Sequence, residues 1–250
     1  MNGTPFHSSI LEHRSNYVKM VPMATKTPAT GTARAERRTD ALSRERIVET
    51  AIEILDAEGE AALTFRALTA RLSTGAGAIY WHVANKGELL AAATSEVIAE
   101  ATAEVTDRAE PAEAIRATAL AVFDAIDAHP WLGGQLAREP WQAAMLPVFE
   151  GIGRQLAALS VPAAAQFDCA SALLNYILGL AGQHAAGARL IPRGTDRTTF
   201  LAAVAAQWSQ LDPDEYPFVR QMAVRLPGHD DREQFLAGIN LILAGIDVTR

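Results

Sequence analysis

The sequence predicts an all-α protein: an N-terminal three-helix module of the helix-turn-helix kind, followed by a larger helical domain. Three observations lead there. Apolar residues make up 49% of the 250 positions but aromatics only 6%, and alanine is frequent throughout, which favours helices packed closely through small side chains. No stretch alternates Val, Ile, Thr or Tyr with polar residues over five or more positions, so strand signals are weak. Apolar residues instead recur at three- and four-residue spacing between caps and breakers.

Residues 1–40 are rich in Thr, Ser, Pro, Gly and Ala without a helical period, and are expected to form a disordered, weakly basic arm. Arg34, Arg37 and Arg38 cluster at its end, either as a solvated tail or as a contact to phosphate or the minor groove. Met20 and Met23 are further candidate starts, which the intact mass of the native protein decides. The segment 41–88 reads as the DNA-binding module and 89–250 as the larger domain.

Ser43 caps a first helix running to 57, with Ile47, Val48, Ala51, Ile52, Ile54 and Leu55 on one face and Gly59 as its stop. Thr64 caps a second, in which Ala67, Leu68, Arg71 and Leu72 follow at helical spacing. Ser73-Thr74-Gly75 breaks it, and a short third helix over 76–82 ends in Tyr-Trp-His. Asn85, with Glu88 three residues on, is a capping box opening a fourth helix over 86–106. Two short helices joined by a tight turn form the helix-turn-helix pattern, whose second helix enters the major groove.

Beyond a break at 107–111, a helix is expected over 111–129, and a short one after His129-Pro130-Trp131-Leu132. Pro140-Trp141 breaks the chain, and Pro147 opens a helix to 159. Pro162 opens the most apolar helix, to 186, followed by a loop over 189–196. Helices over 198–211 and 217–224 flank a turn at 212–216. After Leu226-Pro227-Gly228, the capping box Asp230 to Glu233 opens the last helix.

Net charge is −7, which at first argues against a nucleic-acid partner. The arm, however, holds six Lys/Arg against three Asp/Glu; residues 41–100 hold five against nine, and 101–250 eleven against seventeen. A small module needs only a few well-placed cations. The single cysteine, Cys169, excludes an internal disulfide framework and fits a reducing cytoplasm. No apolar run reaches the roughly 18–20 residues of a membrane span, and no signal-peptide core is evident.

The stretch Ile79-Tyr80-Trp81-His82-Val83-Ala84-Asn85-Lys86-Gly87-Glu88-Leu89-Leu90 resembles the signature of the tetracycline-repressor family of bacterial transcription regulators. HPWL at 129–132, LLNYILGLAG at 173–182, DPDEYP at 212–217 and FLAGINLILAGI at 235–246 resemble one branch of that family's C-terminal domains. The resemblance implies nine to ten helices and dimers paired through the late helices. It places Tyr80, His82 and Lys86 at phosphate-contact positions, Thr64 at a backbone-contact position and Arg66 at a base-contact position, where a guanidinium can bond guanine in bidentate fashion. Trp81 either braces the recognition helix or touches the DNA backbone. Tyr80 and Trp81 could instead fill the module's core, and Phe65 is either a staple or an apolar DNA contact. Ser73, Gly75 and Ala78 depart from the pattern. Gly75, Ala76, Gly77 and Ala78 cannot hydrogen-bond bases through side chains, so close backbone approach, thymine-methyl contact and DNA shape are expected to carry specificity alongside Arg66.

The larger domain scatters large or polar-tipped side chains among Ala and Leu: His129, Trp131, Gln135, Trp141, Phe149, Asn175, Tyr176, Gln183 and His184. These are candidate ligand contacts, since small-molecule sites are apolar cavities with a few polar groups; each alone is equally a core or surface residue. His129 and His184 lack closely spaced metal-ligating partners, so neither metal nor cofactor is expected. Small residues over 163–186 suit close approach of a partner helix, which with 230–247 suggests a homodimer interface; they serve the monomer's own core equally well. No G-x-S-x-G, Walker-type loop or His-Glu-x-x-His occurs, and Gly151-Ile152-Gly153 lies within a helical pattern, so no enzyme is indicated. The expected function is a cytoplasmic, dimeric, ligand-responsive regulator, a repressor released from a palindromic DNA operator by a small molecule. The rival is a small-molecule-binding helical protein with a non-functional DNA module.

Overall fold

The computed structural model describes residues 42–105, 110–139, 142–190 and 196–248. They contain helices joined by turns and no β-strand. The arm with Arg34, Arg37 and Arg38 lies outside them, as do Pro140-Trp141 and most of the expected loop at 189–196.

The first helix, α1, spans Arg44–Glu58. It starts because the Ser43 hydroxyl accepts the Arg46 N–H at 3.2 Å, and it stops at Gly59, whose φ of 78° glycine adopts without strain. A 3-10 turn, Glu60–Ala62, leads to α2, Phe65–Leu72, capped by Thr64 through the Ala67 N–H at 3.1 Å. Ser73 then takes a left-handed conformation, φ 51° and ψ 42°. That region disfavours a Cβ. Ser73→Gly is therefore expected to stabilise the protein by about 0.5–1 kcal/mol in urea unfolding; no gain would mean that Ser73 is held by something other than the turn.

The recognition helix α3 is shorter than the spacing suggested: Ala76–Tyr80, five residues. Trp81 and His82 form a turn in which the N–H groups of His82 and Val83 both reach the Ile79 carbonyl. This swings Val83 into the core, where it is buried. Helix α4, Lys86–Thr102, is capped by Asn85, which accepts the Glu88 N–H at 2.9 Å. The return bond of the capping box goes one residue further back than usual: Glu88 accepts the Ala84 N–H at 2.8 Å. Ile47, Ile54, Leu63, Leu68, Ile79 and Leu89, each almost fully buried, form the core these four helices share.

Helix α4 continues past the module, and Val97 and Ile98 pack toward α5, Pro111–Ala128. His129 separates α5 from α6, Pro130–Arg138. A 3-10 turn, Ala143–Met145, precedes α7, Leu146–Ala158. Helix α8, Ala163–Leu190, runs for 28 residues, four beyond the expected end, and packs on α5, α6, α7 and α11. Helices α9, Arg197–Ser209, and α10, Pro217–Ala223, pack on each other. Asp212 forms the turn between them by accepting the Asp214 N–H at 2.8 Å. The 3-10 turn Leu226–Gly228 leads to α11, Asp231–Asp247, capped by Asp230 through the Glu233 N–H. Eleven α-helices are thus described, against the nine to ten expected.

Aromatic rings tie α5, α8 and α11 together. Phe235 lies between Phe123, at 5.1 Å, and Tyr176, at 5.4 Å and nearly parallel. The Tyr176 ring crosses α11 over Gly238, so that a Cβ there would overlap it. Gly238→Ala is expected to destabilise the protein by about 1–3 kcal/mol despite alanine's better helix propensity. In a Tyr176→Ala background the same change should become stabilising; destabilisation in both backgrounds would show that the ring is not the obstacle.

Candidate nucleic-acid interface

The end of α3 and the turn after it place two aromatic side chains outward. Tyr80 is 54% exposed and Trp81 90% exposed, so neither fills the module's core. Tyr80 lies flat on Phe65, with ring centroids 4.5 Å apart and planes 8° from parallel. That is the role of Phe65: from the first residue of α2 it fixes the phenol at the end of α3. The stack aims the Tyr80 hydroxyl without burying it.

Arg66 is exposed beside this stack, and among the described residues its side chain has no ion-pair partner. Arg71, one turn on, is paired with Glu58 at 2.7 Å. Thr64 uses its hydroxyl oxygen as cap, which leaves the O–H proton free to donate. His82 is half-buried. Its neighbour in charge is Glu45, whose carboxyl is held below the ordinary carboxylate range by a backbone hydrogen bond first and by Ser43 second. Lys86 donates from Nζ to the Glu60 carbonyl at 2.6 Å, which fixes its ammonium at the start of α4 with two protons unused.

Gly75 and Gly77 have no internal reason to be glycine. Neither has positive φ, and a Cβ on either would meet nothing within 4 Å. Gly75, Ala76 and Gly77 are exposed. The N-terminal half of α3 is therefore bare backbone turned to the outside, flanked by a guanidinium, a phenol, an indole and an ammonium. A surface of that kind suits close approach to a groove floor with polar contacts at its edges.

The seven candidate ligand contacts whose side chains are described are not brought together. His129, Trp131 and Gln135 reach back to the module: Asp56 accepts from Trp131 at 2.7 Å and bonds His129 at 2.8 Å, and Glu60 accepts from Gln135 at 3.1 Å. Phe149 packs edge-on to Phe167 on α8. Tyr176 stacks on Phe235, and burial raises its phenol above the ordinary value. Asn175 and Gln183 are exposed. Trp141 and the His184 side chain lie outside the described residues.

A cavity of about 660 Å³ lies instead between α4, α5 and α11, within the size range of small-molecule sites. Val97, Ala101, Leu120 and Leu236 form its apolar wall, and Glu100, Arg116, Asp124 and Arg232 its charged rim; of the seven candidates whose side chains are described, only His129 lines it. Arg232 holds Asp124 at 2.8 and 3.1 Å, and Arg116 holds Asn240 at 2.7 Å. Sequence reasoning missed these residues because each looks like ordinary helix-surface charge; only the packing of α5 against α11 turns them toward one space. Among the described residues, no group of three His, Cys, Asp or Glu is placed to hold a metal, and no helix is long and apolar enough to cross a membrane.

Known proteins share these features. The family description "Bacterial regulatory proteins, tetR family" matches residues 47–93, and "Tetracyclin repressor-like, C-terminal domain" matches 107–250. An HTH-type transcriptional regulator of Saccharopolyspora erythraea is 27% identical over 211 residues, 83% of this chain and 86% of that protein. The HTH-type transcriptional repressor DrrR1 of Streptomyces coeruleorubidus is 38% identical over 93 residues, 36% of this chain and 34% of its own. Among solved structures, a TetR transcriptional regulator from Streptomyces coelicolor is 51% identical, covers 84% of this chain and 99% of its own, and superposes with a TM-score of 0.75. ActR of the same organism, solved in complex with actinorhodin, is 25% identical, covers 82% and 95%, and has a TM-score of 0.68.

Proposed function

Since the chain belongs to the tetR family of bacterial regulatory proteins, and is thus a helix-turn-helix transcriptional regulator, we propose that it acts as a homodimeric repressor that a small molecule releases from a palindromic operator. The observation that carries the DNA half is the bare outward backbone of Gly75 to Gly77 beside exposed Tyr80, Trp81 and Arg66. Tyr80, His82 and Lys86 grip phosphates, Thr64 adds a backbone contact, and Arg66 reads a base. The bare residues 75–78 let the helix sit deep in the groove.

The release half rests on α4. Its first residue is Lys86, and its later turns, at Val97, Glu100 and Ala101, wall the 660 Å³ cavity. A ligand that prefers a displaced α4 moves the module with it, and operator affinity falls by the same differential free energy. ActR, a structural relative, binds actinorhodin, and DrrR1 is a repressor; both support the reading.

Dimerisation through α8 and α11 is supported by what these helices leave uncovered. Phe167 on α8 and Leu241 on α11 are 65% and 75% exposed, and Ala172, Gly179, Ala237 and Ala244 on the same two helices are exposed as well. Apolar exposure of this extent along two adjacent helices suits an isologous four-helix contact. The protein acts by binding and not by catalysis, in the cytoplasm where its operator is.

Gel shift on DNA flanking the protein's own coding region tests the reading, together with a thermal-melting screen of small molecules. A retarded complex that a melting-positive compound dissolves is expected. Stabilisation by a compound without any DNA complex at low salt would favour a small-molecule-binding protein with a non-functional DNA module.

A further inference from the structure

The carboxylates of Asp56 and Glu60 stand on the DNA-reading module, and both are gripped by α6 and the residue before it. One oxygen of Asp56 takes the Trp131 Nε1–H at 2.7 Å and the His129 ring at 2.8 Å. A carboxylate only accepts, so His129 carries its proton on Nδ1. One oxygen of Glu60 takes Gln135 at 3.1 Å and Arg138 at 2.6 Å. Trp131 is 8% exposed, and a buried indole N–H needs its acceptor. Any tilt of the module that carries Asp56 away leaves that N–H unpaired. Glu60 has a second link, since its backbone carbonyl holds the Lys86 ammonium.

We propose that Asp56 and Glu60 form a two-point latch through which α6 fixes the orientation of the DNA-reading module, and so the distance between the two recognition helices of the dimer. The inference rests on the dimeric-regulator reading given above. Its mechanical logic is simple. The module continues covalently into α4 alone, and a body held by one helical stem can twist about it. Two further points, at the end of α1 and on the following 3-10 turn, remove that freedom. Asp56 and Glu60 are positioning residues: neither is required to touch DNA.

The test uses the full chain and the duplex that the wild-type protein enriches from a random library. Affinity is measured for that duplex and for versions with one base pair inserted or removed at the dyad, a shift of about 3.4 Å along the axis. Wild type is expected to lose roughly 30-fold on the altered spacings, and the Asp56→Ala/Glu60→Ala double variant to discriminate by no more than about 3-fold, a change within the usual range of coupling between sites. Both side chains are about one-third exposed, but removing Asp56 leaves the buried Trp131 N–H without its acceptor, so the variant should melt a few degrees lower and its affinity is measured well below that temperature. Trp131→Phe, which keeps an aromatic ring but no N–H, should narrow the ratio in the same direction. Arg154→Ala, which removes a surface pair with Glu150 on α7, should leave it unchanged. Variants that keep the wild-type ratio beside a discriminating wild type would overturn the latch alone. A wild type that binds DNA but is indifferent to spacing would overturn the dimeric reading and the latch with it.

Discussion

Arg66→Ala should lower affinity for the preferred operator by about 10- to 100-fold, the equivalent of roughly 1–3 kcal/mol, and relax specificity at one base position in each half-site. The reason is what surrounds it. Gly75 to Ala78 offer no side-chain donors, so the specific hydrogen bonds of the module fall to α2. Arg66 is exposed in its first turn, and the neighbouring Arg71 is tied to Glu58. Lys86→Ala gives the contrast. It should weaken binding by a similar factor on all sequences and reduce the salt slope by about one. Titrations of both variants against the operator and against single-base variants at several salt concentrations separate the two. An Arg66→Ala variant that keeps full discrimination would place the base reading elsewhere.

Phe235→Ala should cost about 3–5 kcal/mol of stability, the usual range for truncating a fully buried phenylalanine. At 1% exposure and stacked on both Phe123 and Tyr176, this ring joins three helices. The cavity it leaves cannot close without moving α5, α8 or α11. For a chain of this size each kcal/mol lowers the melting temperature by about 2–4 °C, so a fall of roughly 6–20 °C is expected in calorimetry. A loss below about 1 kcal/mol would mean that the three helices are held by other contacts.

Local chemistry made most of the fold legible in advance. Ser43, Thr64, Asn85 and Asp230 each cap the helix they were expected to open, because a short polar side chain before an apolar period has few other uses. Gly59 ends α1 for an equally local reason. The errors lie where tertiary packing decides. Helix α3 stops at Tyr80 because Val83 must reach the core, a demand made by α1 and α4. Helix α8 outruns its expected end by running through Gly187, a residue type that often ends a helix, while α6 packs along it.

The candidate site divides the same way. The aromatic end of α3 was legible as a motif, but whether Tyr80 and Trp81 point in or out was not, since both answers fit the spacing. The Phe65–Tyr80 stack, between residues of different helices, has no periodic signature. The roles of His129, Trp131 and Gln135 were hidden most deeply. Their partners, Asp56 and Glu60, lie 73 to 75 residues away. Polar tips among apolar helices suggested a ligand; in the structure those tips face the DNA-reading module.

The central claim is that the surface built by Thr64, Arg66, residues 75–78, Tyr80 to His82 and Lys86 reads duplex DNA. Selection of random-sequence duplexes by the full-length protein tests it most directly, with affinity for the enriched sequence then followed against salt. A two-fold symmetric sequence is predicted, with half-sites about one helical turn apart and affinity falling steeply as salt rises. Recovery of no enriched sequence at low salt, from protein that is folded and dimeric, would contradict it.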